Sequence, residues 1–328
     1  MSRSVSSVFL FILLAACIPL TPAPTPTPIP TSTPTSTPIP PTATFTPSPS
    51  PTPTPRPLVP NFDHIVLILF ENKEFGSVID NPQMPIYNKL AHEYTLLTQY
   101  YAIRHPSLPN YIALMGGDTF GIDSDCTDCF VNAQSLPDLI EASGRTWKGY
   151  FEDMPEPCFL GDKVDYVQKH NPFVYFDPIR LNTLRCQKNV VPLTDLQTDI
   201  ATNSLPNFLF IKANTCNDSH DCSLDITDAW LTDLLNTLIP ALDAISPSYV
   251  VAMLFEEGQG SHTCCGLPEP GGGRVPVVFY SPLVKNGFED PTPYTHYSLL
   301  KTISQAWGLP YLAHAADDTN PLITAPWK

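Results

Sequence analysis

The sequence predicts an α/β protein with a mostly parallel central sheet and helices on both faces. Two observations predict this fold class. Continuous apolar runs rich in β-branched residues recur along the chain, as expected of strands that are buried on both faces. Segments with helical patterning alternate with these runs, and such a βαβα order is typical of parallel sheets.

The first apolar run is residues 64–70 (HIVLILF), in which Ile65, Val66 and Ile68 are β-branched. Further strands are predicted at 94–101, 207–211, 248–255 and 275–280. Helices are predicted at 136–143, 225–239 and 296–307. The segment 118–200 is richer in Cys, Pro and polar residues and is predicted to be an excursion from the sheet.

The N-terminal sixth of the chain has a different composition. Proline accounts for 39 of 328 residues, and 17 of these lie in residues 18–60, mostly next to Thr or Ser. Such a segment buries too little apolar surface to fold, so a disordered stalk is predicted there. The folded domain is then 61–328, which is long enough for one sizeable core or two small ones.

The first residues indicate export. Arg3 precedes an apolar run from Val8 to Ala16, which is too short to span a bilayer but suits a secretory signal. Residues 14–17 (LAAC) resemble the lipobox of bacterial lipoproteins, which implies a signal peptide of residues 1–17 and a lipid on Cys17. An ordinary secretory signal with a chance cysteine is the alternative. An extracytoplasmic domain anchored to the bacterial cell membrane is expected.

The folded part is strongly acidic. It holds 15 Lys and Arg against 32 Asp and Glu, because the only charged residues before it are Arg3 and Arg56. This charge argues against nucleic acid as a partner and against electrostatic docking on anionic lipid. It is compatible with a metal-dependent enzyme whose carboxylates are neutralised by cations.

Eight cysteines follow Cys17, and an even number in an exported domain indicates disulfides. The local pairs Cys126–Cys129, Cys158–Cys186 and Cys216–Cys222 are plausible. A Cys264–Cys265 pair would be a strained vicinal disulfide. A zinc site that combines Cys126 and Cys129 with another cysteine pair is the competing interpretation.

Acidic side chains follow two of the predicted strands. Glu71-Asn72 comes directly after 64–70, and Glu256-Glu257 comes directly after 248–255. In parallel sheets the carboxyl ends of the strands meet at one edge, so these side chains are expected in one crevice. Hard oxygen donors gathered in this way suit a divalent cation, whereas two unrelated loop ends with solvated acids are the alternative.

The sequence His105-Pro106-Ser107-Leu108-Pro109-Asn110 follows the predicted strand 94–101. Proline is favoured at the first helical position, so a helix is expected to begin at Pro109 with Ser107 just outside it. Free N–H groups there bind anions, and a serine hydroxyl beside a metal can act as a nucleophile. A helix cap without chemistry is the alternative.

A polar cluster, Asn217-Asp218-Ser219-His220-Asp221, follows the predicted strand 207–211. His220 could protonate a leaving group or bind phosphoryl oxygens. A structural hydrogen-bonded pair of His220 and Asp221 is the alternative.

Taken in order, these motifs resemble one family, the bacterial phosphoesterases that include acid phosphatases and non-specific phospholipases C, within the alkaline phosphatase superfamily. The resemblance covers roughly residues 62–312. Beyond the motifs above it is carried by 154–159 (MPEPCF), 169–176 (KHNPFVYF), 264–266 (CCG), 272–276 (GGRVP) and 296–310 (HYSLLKTISQAWGLP).

The resemblance implies a hydrolase that uses a divalent metal cation of unknown identity and a covalent phosphoserine intermediate. Ser107 matches the nucleophile and a metal-site position. The other matched metal-site residues are Glu71, Asn72, Glu256 and Glu257. The residues that match the rim of the active site are His105, Asn110, His170, His220 and Asp221. The implied substrate is a small phosphate ester or a phospholipid head group.

One departure from the family pattern bears on the metal site, besides two smaller changes at Ala213 and Ser219. The family usually has Asp-Glu where this chain has Glu256-Glu257, and the extra methylene displaces a carboxylate by roughly one C–C bond. Hydrolysis of phosphate monoesters is the expected activity. A phospholipase C-type phosphodiesterase is the alternative within enzymes. An inactive, stalked surface-binding lipoprotein is the alternative of another class.

Overall fold

The computed structural model describes residue 25 and residues 57–328. The predicted signal peptide with Cys17 lies outside the described residues, as does the predicted stalk except for residues 25 and 57–60. Val59 is buried in the core, so the folded unit already includes residues just before position 61. Within the described residues, no helix is both long and apolar enough to cross a membrane.

The described part of the chain forms one sheet of nine strands. They are β1 (His64–Phe70), β2 (Thr95–Tyr101), β3 (Trp147–Phe151), β4 (Val190–Pro192), β5 (Phe208–Lys212), β6 (Tyr249–Phe255), β7 (Arg274–Tyr280), β8 (Phe288–Asp290) and β9 (Tyr294–Thr295). Their order is β4-β3-β5-β1-β6-β7-β2-β8, and β9 also pairs with β2. Only β7 runs antiparallel to its neighbours in this sheet. The predicted fold class is confirmed, and each predicted strand is observed to within one residue at either end.

Nine α-helices surround the sheet in the described residues. They are α1 (Phe75–Val78), α2 (Pro85–Glu93), α3 (Ser107–Gly116), α4 (Leu136–Ala142), α5 (Asp177–Arg180), α6 (Thr183–Asn189), α7 (Thr194–Ala201), α8 (Leu224–Ile245) and α9 (His296–Trp307). Short 3-10 helices occur at Gln168–His170, Pro172–Tyr175 and Ala313–Ala316.

One face of the sheet is covered by α2 and α8. Phe70 of β1 contacts Tyr87 of α2 and Trp230 of α8, with ring centroids 6.3 and 6.1 Å apart. Phe255 of β6 lies beside Phe70 in register and also contacts Tyr87. Phe70 and Phe255 immediately precede the acidic residues that follow β1 and β6.

The opposite face is covered by α3 and α9. Phe208 and Phe210 of β5 contact Trp307 of α9 and Tyr111 of α3, respectively. Phe208 lies beside Ile65 in register, and Ile65 and Phe70 point to opposite faces because side chains alternate along a strand. Helices therefore cover both faces, as predicted.

The prediction that 118–200 lies outside the sheet is partly wrong. This segment supplies β3 and β4, which extend the sheet beyond β5. Lys148 and Gly149 interrupt the apolar pattern of β3, so the strand lacks the continuous run that identified the others. β3 lies between β5 and the edge strand β4, and Lys148 of β3 is paired to Asp199 at 2.6 Å.

Two helix ends also differ from the predictions. Helix α3 begins at Ser107, two residues before Pro109, and Pro106 is its N-cap. Proline is tolerated at the third helical position because first-turn N–H groups have no intrahelical acceptor. Helix α8 continues through Pro240 to Ile245 instead of ending at residue 239.

The eight described cysteines form four disulfides. The three predicted local pairs are present, and Cys264 is joined to Cys265. This pairing leaves none of the eight thiols for the alternative zinc site.

Helix α9 braces the end of β6 through a buried histidine. The His296 ring Nε2 lies 2.6 Å from the backbone oxygen of Glu256, and Tyr100 OH lies 3.0 Å from His296 Nδ1. A carbonyl can only accept, so Nε2 carries the proton and Nδ1 accepts from Tyr100. Burial lowers the pKa of His296 to about 4.

This buried histidine predicts a loss of stability in acid. The unfolded chain protonates His296 near pH 6.5 while the folded chain resists until about pH 4, so protons favour the unfolded state in that window. Between pH 7 and pH 4, the wild type should lose about 3 kcal/mol of unfolding free energy that His296→Gln does not lose. Chemical denaturation at both pH values measures this, with the exposed His92→Gln as control. An identical pH dependence in the wild type and His296→Gln would contradict the assignment.

Candidate active site

Three glutamates meet where β1 and β6 end. Glu71 follows β1, and Glu256 and Glu257 follow β6; all three are buried. One carboxylate oxygen of each lies within 4.8 Å of those of the other two. The parallel pairing of β1 with β6 brings them together, because Phe70 and Phe255 are register partners. The sequence-based expectation that these acids share one crevice is confirmed by this geometry.

Ser107 lies between two of these carboxylates. Its hydroxyl is 2.8 Å from Glu257 Oε1 and 3.2 Å from Glu71 Oε2, and the residue is 2% exposed. Ser107 is the first residue of α3, so the positive end of the helix dipole lies beside the hydroxyl.

The start of α3 offers few N–H groups to an anion. The Leu108 N–H donates to Asp125 Oδ1 at 3.0 Å, and Pro109 has no N–H. Of the first three residues of α3, Ser107 is therefore the one whose N–H could contact a phosphoryl oxygen.

Glu71 is surrounded by donors on its other side. Tyr111 OH donates to Glu71 Oε1 at 2.6 Å, and His170 Nε2 and Lys212 Nζ lie 2.9 and 3.9 Å from the same oxygen. Burial on its own raises the pKa of Glu71, but His170 and Lys212 reverse this and lower the pKa well below its usual range. These partners therefore favour the ionised form of Glu71.

Asp218 extends this group away from Ser107. Its carboxylate forms a short ion pair with Lys212 and lies 3.5 Å from His170 Nδ1. Glu71, His170 and Asp218 offer a second set of potential metal ligands. Because Lys212 already neutralises Asp218, a cation has less reason to bind there than among the three glutamates.

Glu256 is the residue that most requires a further partner. Both of its carboxylate oxygens are buried and have no hydrogen-bond partner within the described residues. Burial, followed by the charges of Glu71 and Glu257, raises its pKa well above the usual range. Three buried carboxylates with one of them unpartnered fit a divalent cation, since oxygen ligands of this kind are what such ions bind.

Asn72 lies beside the cluster with its backbone in the left-handed region, at a φ of 52°. Asparagine tolerates this conformation better than most residues. The residue is half-buried, and no hydrogen bond from its side chain to another described residue is formed. Its predicted role as a metal ligand stays a prediction.

His105 links Glu257 to a neighbouring loop. Its Nδ1 forms a short contact with Glu257 Oε2, and its Nε2 lies 2.8 Å from the backbone oxygen of Gly260. The hydrogen bond to Glu257 is the main reason why the pKa of His105 is raised. His105 is thus in direct contact with the carboxylate that accepts from Ser107.

Asn110 is placed behind the cluster. Its oxygen accepts from the N–H groups of Ile103 and Arg104 at 2.9 and 3.2 Å. Its amide nitrogen donates to the backbone oxygens of Arg104 and Pro106 at 2.7 and 3.2 Å. The side chain therefore holds the turn that carries His105 and does not itself face the three glutamates.

His220 and Asp221 lie on the outer side of His170. His220 Nδ1 is 2.7 Å from Asp221 Oδ1, and its ring centroid is 6.1 Å from that of His170. The hydrogen bond from His220 lowers the pKa of Asp221. His220 is partly exposed, and its Nε2 forms no hydrogen bond within the described residues.

Tyr111 and Asp125 were not predicted as site residues. Tyr111 lies in an apolar stretch, where nothing in the sequence distinguishes it from a core residue. One signal was available: Tyr111 follows Ser107 by four positions, which places both on the same face of α3. Asp125 comes from a loop distant in sequence, and no spacing rule connects it to Leu108.

Comparisons with known proteins identify the family of this chain. Residues 77–310 match the model of the Phosphoesterase family. The chain is 34% identical over 259 residues to a phosphate-repressible acid phosphatase of Penicillium chrysogenum, which covers 76% of the chain and 60% of that protein. It is 32% identical over 276 residues to a phosphatidylinositol-3-phosphatase of Mycobacterium tuberculosis, covering 82% and 84%. The chain belongs to the Phosphoesterase family.

The fold is shared with a solved protein of the alkaline phosphatase superfamily from Vibrio parahaemolyticus, at a TM-score of 0.56 and 11% identity over 81% of this chain and 72% of that one. At this identity the likeness concerns the fold alone. The chain spans about 60% of the length of the fungal acid phosphatases that it matches.

The unpartnered carboxylate predicts a specific response to cations. When the wild type has been freed of metal with a chelator, Mn²⁺ at 100 times its Kd should raise the free energy of unfolding by about 2.7 kcal/mol. This stabilisation is measured as a higher Tm. Glu256→Gln should raise the Tm of the chelated protein, because it removes a buried unpaired acid, and should reduce the shift caused by Mn²⁺. The exposed Glu289→Gln is the matched control. Equal Mn²⁺ shifts in Glu256→Gln and the wild type would show that Glu256 binds no cation.

Proposed function

We propose that this protein hydrolyses phosphate monoesters through a phosphoserine intermediate on Ser107. The position of the Ser107 hydroxyl is the observation that carries this proposal. It is buried at the start of α3 and donates to Glu257 while lying within 3.2 Å of Glu71. A structural serine in a helix cap would instead satisfy backbone N–H groups.

In the first step, Ser107 Oγ attacks phosphorus and the bond from phosphorus to the leaving alcohol breaks. The hydroxyl proton has an acceptor in place, since Glu257 Oε1 is 2.8 Å away. Burial raises the pKa of Glu257, which makes its carboxylate a stronger base. His105 holds the other oxygen of Glu257 and orients the carboxylate.

Glu71, Glu256 and Glu257, with Asn72 and Ser107 beside them, would hold a divalent cation. Such an ion neutralises the carboxylates and, as a Lewis acid, favours the ionised serine and stabilises charge on the phosphoryl oxygens. The buried, unpartnered oxygens of Glu256 support this assignment.

The leaving alcohol requires a proton as it departs. His220 is suited to this role because Asp221 fixes its Nδ1 and leaves Nε2 free. In the second step, water attacks phosphorus and loses its proton to His220, which gave its own proton to the alcohol. The bond from phosphorus to Ser107 Oγ breaks, phosphate leaves, and Glu257 returns its proton to Ser107 Oγ. Lys212 adds positive charge near Glu71, and Tyr111 OH donates a hydrogen bond to it on this side of the site.

A cavity of about 580 Å³ adjoins His105 and offers room for the alcohol part of a substrate. Its wall combines apolar residues such as Leu267 and Tyr297 with Arg104. The proposed substrate is a small phosphate ester or a phospholipid head group. The name of the mycobacterial relative, a phosphatidylinositol-3-phosphatase, is consistent with the second. Membrane anchoring through a lipidated Cys17 is also proposed, on the sequence alone.

Ser107→Ala should reduce turnover of p-nitrophenyl phosphate by at least about a thousandfold, because the nucleophile is lost. Acid quenching during turnover should trap phosphate on the wild-type peptide that contains Ser107, detected by mass spectrometry. The exposed Ser143→Ala should retain both properties.

p-Nitrophenylphosphorylcholine serves as the diester comparison in the same assay. Faster turnover of the diester would replace the monoesterase proposal with a phosphodiesterase. A folded, metal-loaded wild type that turns over neither ester and traps no phosphate would refute the enzyme proposal and favour a binding protein.

A further inference from the structure

A carboxylate outside the cluster joins the two ends of a loop beside the site. Glu74 Oε2 accepts from the N–H groups of Gln259 and Gly260 at 3.1 and 3.0 Å, and Oε1 accepts from Arg274 N–H at 3.0 Å. Within residues 57–328, no lysine or arginine forms an ion pair with Glu74; the exposed His262 ring lies 3.5 Å away. Its charge is therefore satisfied mainly by the backbone of the loop.

The backbone of this loop, residues 258–273, is built to approach Glu74 closely. A Cβ atom on Gly258 would lie 2.2 Å from Glu74 Oε2, and one on Gly273 would lie 2.7 Å from it. Gly273 also has a φ of +90°, which disfavours any side chain. The two ends of the loop are paired as well, since Gly258 N–H donates to Gly272 O at 2.7 Å.

The loop carries the acceptor that fixes His105. Gly260 donates its N–H to Glu74 and accepts from His105 Nε2 at 2.8 Å. With Nε2 occupied in this way, His105 Nδ1 is directed at Glu257, whose other oxygen accepts from Ser107. A continuous series of contacts thus runs from Glu74 to the hydroxyl of Ser107.

We propose that Glu74 is a positioning residue that holds the Gly260 carbonyl against His105 and so orients Glu257 toward Ser107. This inference rests on the proposed function of Ser107 and assigns a role to a residue outside the metal-binding cluster. Residues 265–270 of the same loop line the cavity beside His105, so Glu74 also fixes one wall of the space for the alcohol.

The variant Glu74→Gln keeps the size of the side chain but replaces one acceptor oxygen with a donor. One end of the loop then faces an N–H group instead of an oxygen. We expect kcat for p-nitrophenyl phosphate to fall by about 10- to 100-fold, as displacements of about 1 Å in a site commonly cost this much, with KM changing less than about threefold. Glu74→Asp is the second variant; it keeps the charge but is too short to reach both ends of the loop. Its kcat should lie between those of the wild type and Glu74→Gln.

Asp228→Asn is the matched control. Asp228 also accepts backbone N–H groups, those of Ile86 and Tyr87 at 3.1 and 2.9 Å, but it caps α2 on the face opposite α3. This variant should lower the Tm and leave kcat of the folded protein near the wild-type value. If the Glu74 variants behave in the same way, Glu74 is merely structural and the proposal is wrong.

A double-mutant cycle with His105→Ala tests whether Glu74 affects kcat through His105. If Glu74 acts through His105, adding Glu74→Gln to His105→Ala should reduce kcat by less than about threefold. If the fall in kcat of the double variant equals the product of the falls in the two single variants, the proposal is overturned.

An NMR measurement separates failure of this inference from failure of the proposed function. Ring ¹⁵N–¹H signals of His105, assigned by their loss in His105→Ala, should shift or broaden in Glu74→Gln and stay unchanged in Asp228→Asn. This outcome would support the positioning role even if the wild type shows no esterase activity. Unchanged His105 signals in Glu74→Gln would refute it whatever the activity.

Discussion

The repulsion among three buried carboxylates is the constraint on which the site depends. Glu71, Glu256 and Glu257 would not be stable together as three bare anions in a water-poor crevice. The protein compensates unevenly: Glu71 has several donors, Glu257 has Ser107 and His105, and Glu256 has none. This asymmetry leaves a place for one cation beside the serine that is proposed to attack phosphorus.

The fold creates this arrangement by pairing β1 with β6 in parallel, so that the residues after both strands arrive at one edge. Helix α3 then places Ser107 and Tyr111 one turn apart on the side that faces Glu71. His296 fixes the backbone of Glu256 from α9. The carboxylates are thus held by rigid elements, while His105 depends on a loop and on Glu74.

Much of this could be predicted from the sequence, because strong local signals marked it. The apolar runs of β1 and β6 end at their acids, and parallel strands bring such ends together whatever lies between. The helix 296–307 was predicted from its apolar pattern with its observed ends, and the structure shows that Thr295 caps it. Other features depend on contacts between distant segments, which leave no local pattern: β3 is interrupted by Lys148, α8 continues through Pro240 and Glu74 bonds to residues some 185 positions away.

The central claim is that Glu71, Glu256 and Glu257 together bind a divalent cation beside Ser107. Anomalous diffraction from crystals of the protein loaded with Mn²⁺ tests it most directly. We expect one strong anomalous peak between these three carboxylates, in contact with Glu256. Crystals in which Mn²⁺ binds only elsewhere, or in which the three carboxylates lie together with no ion at saturating Mn²⁺, would contradict the account.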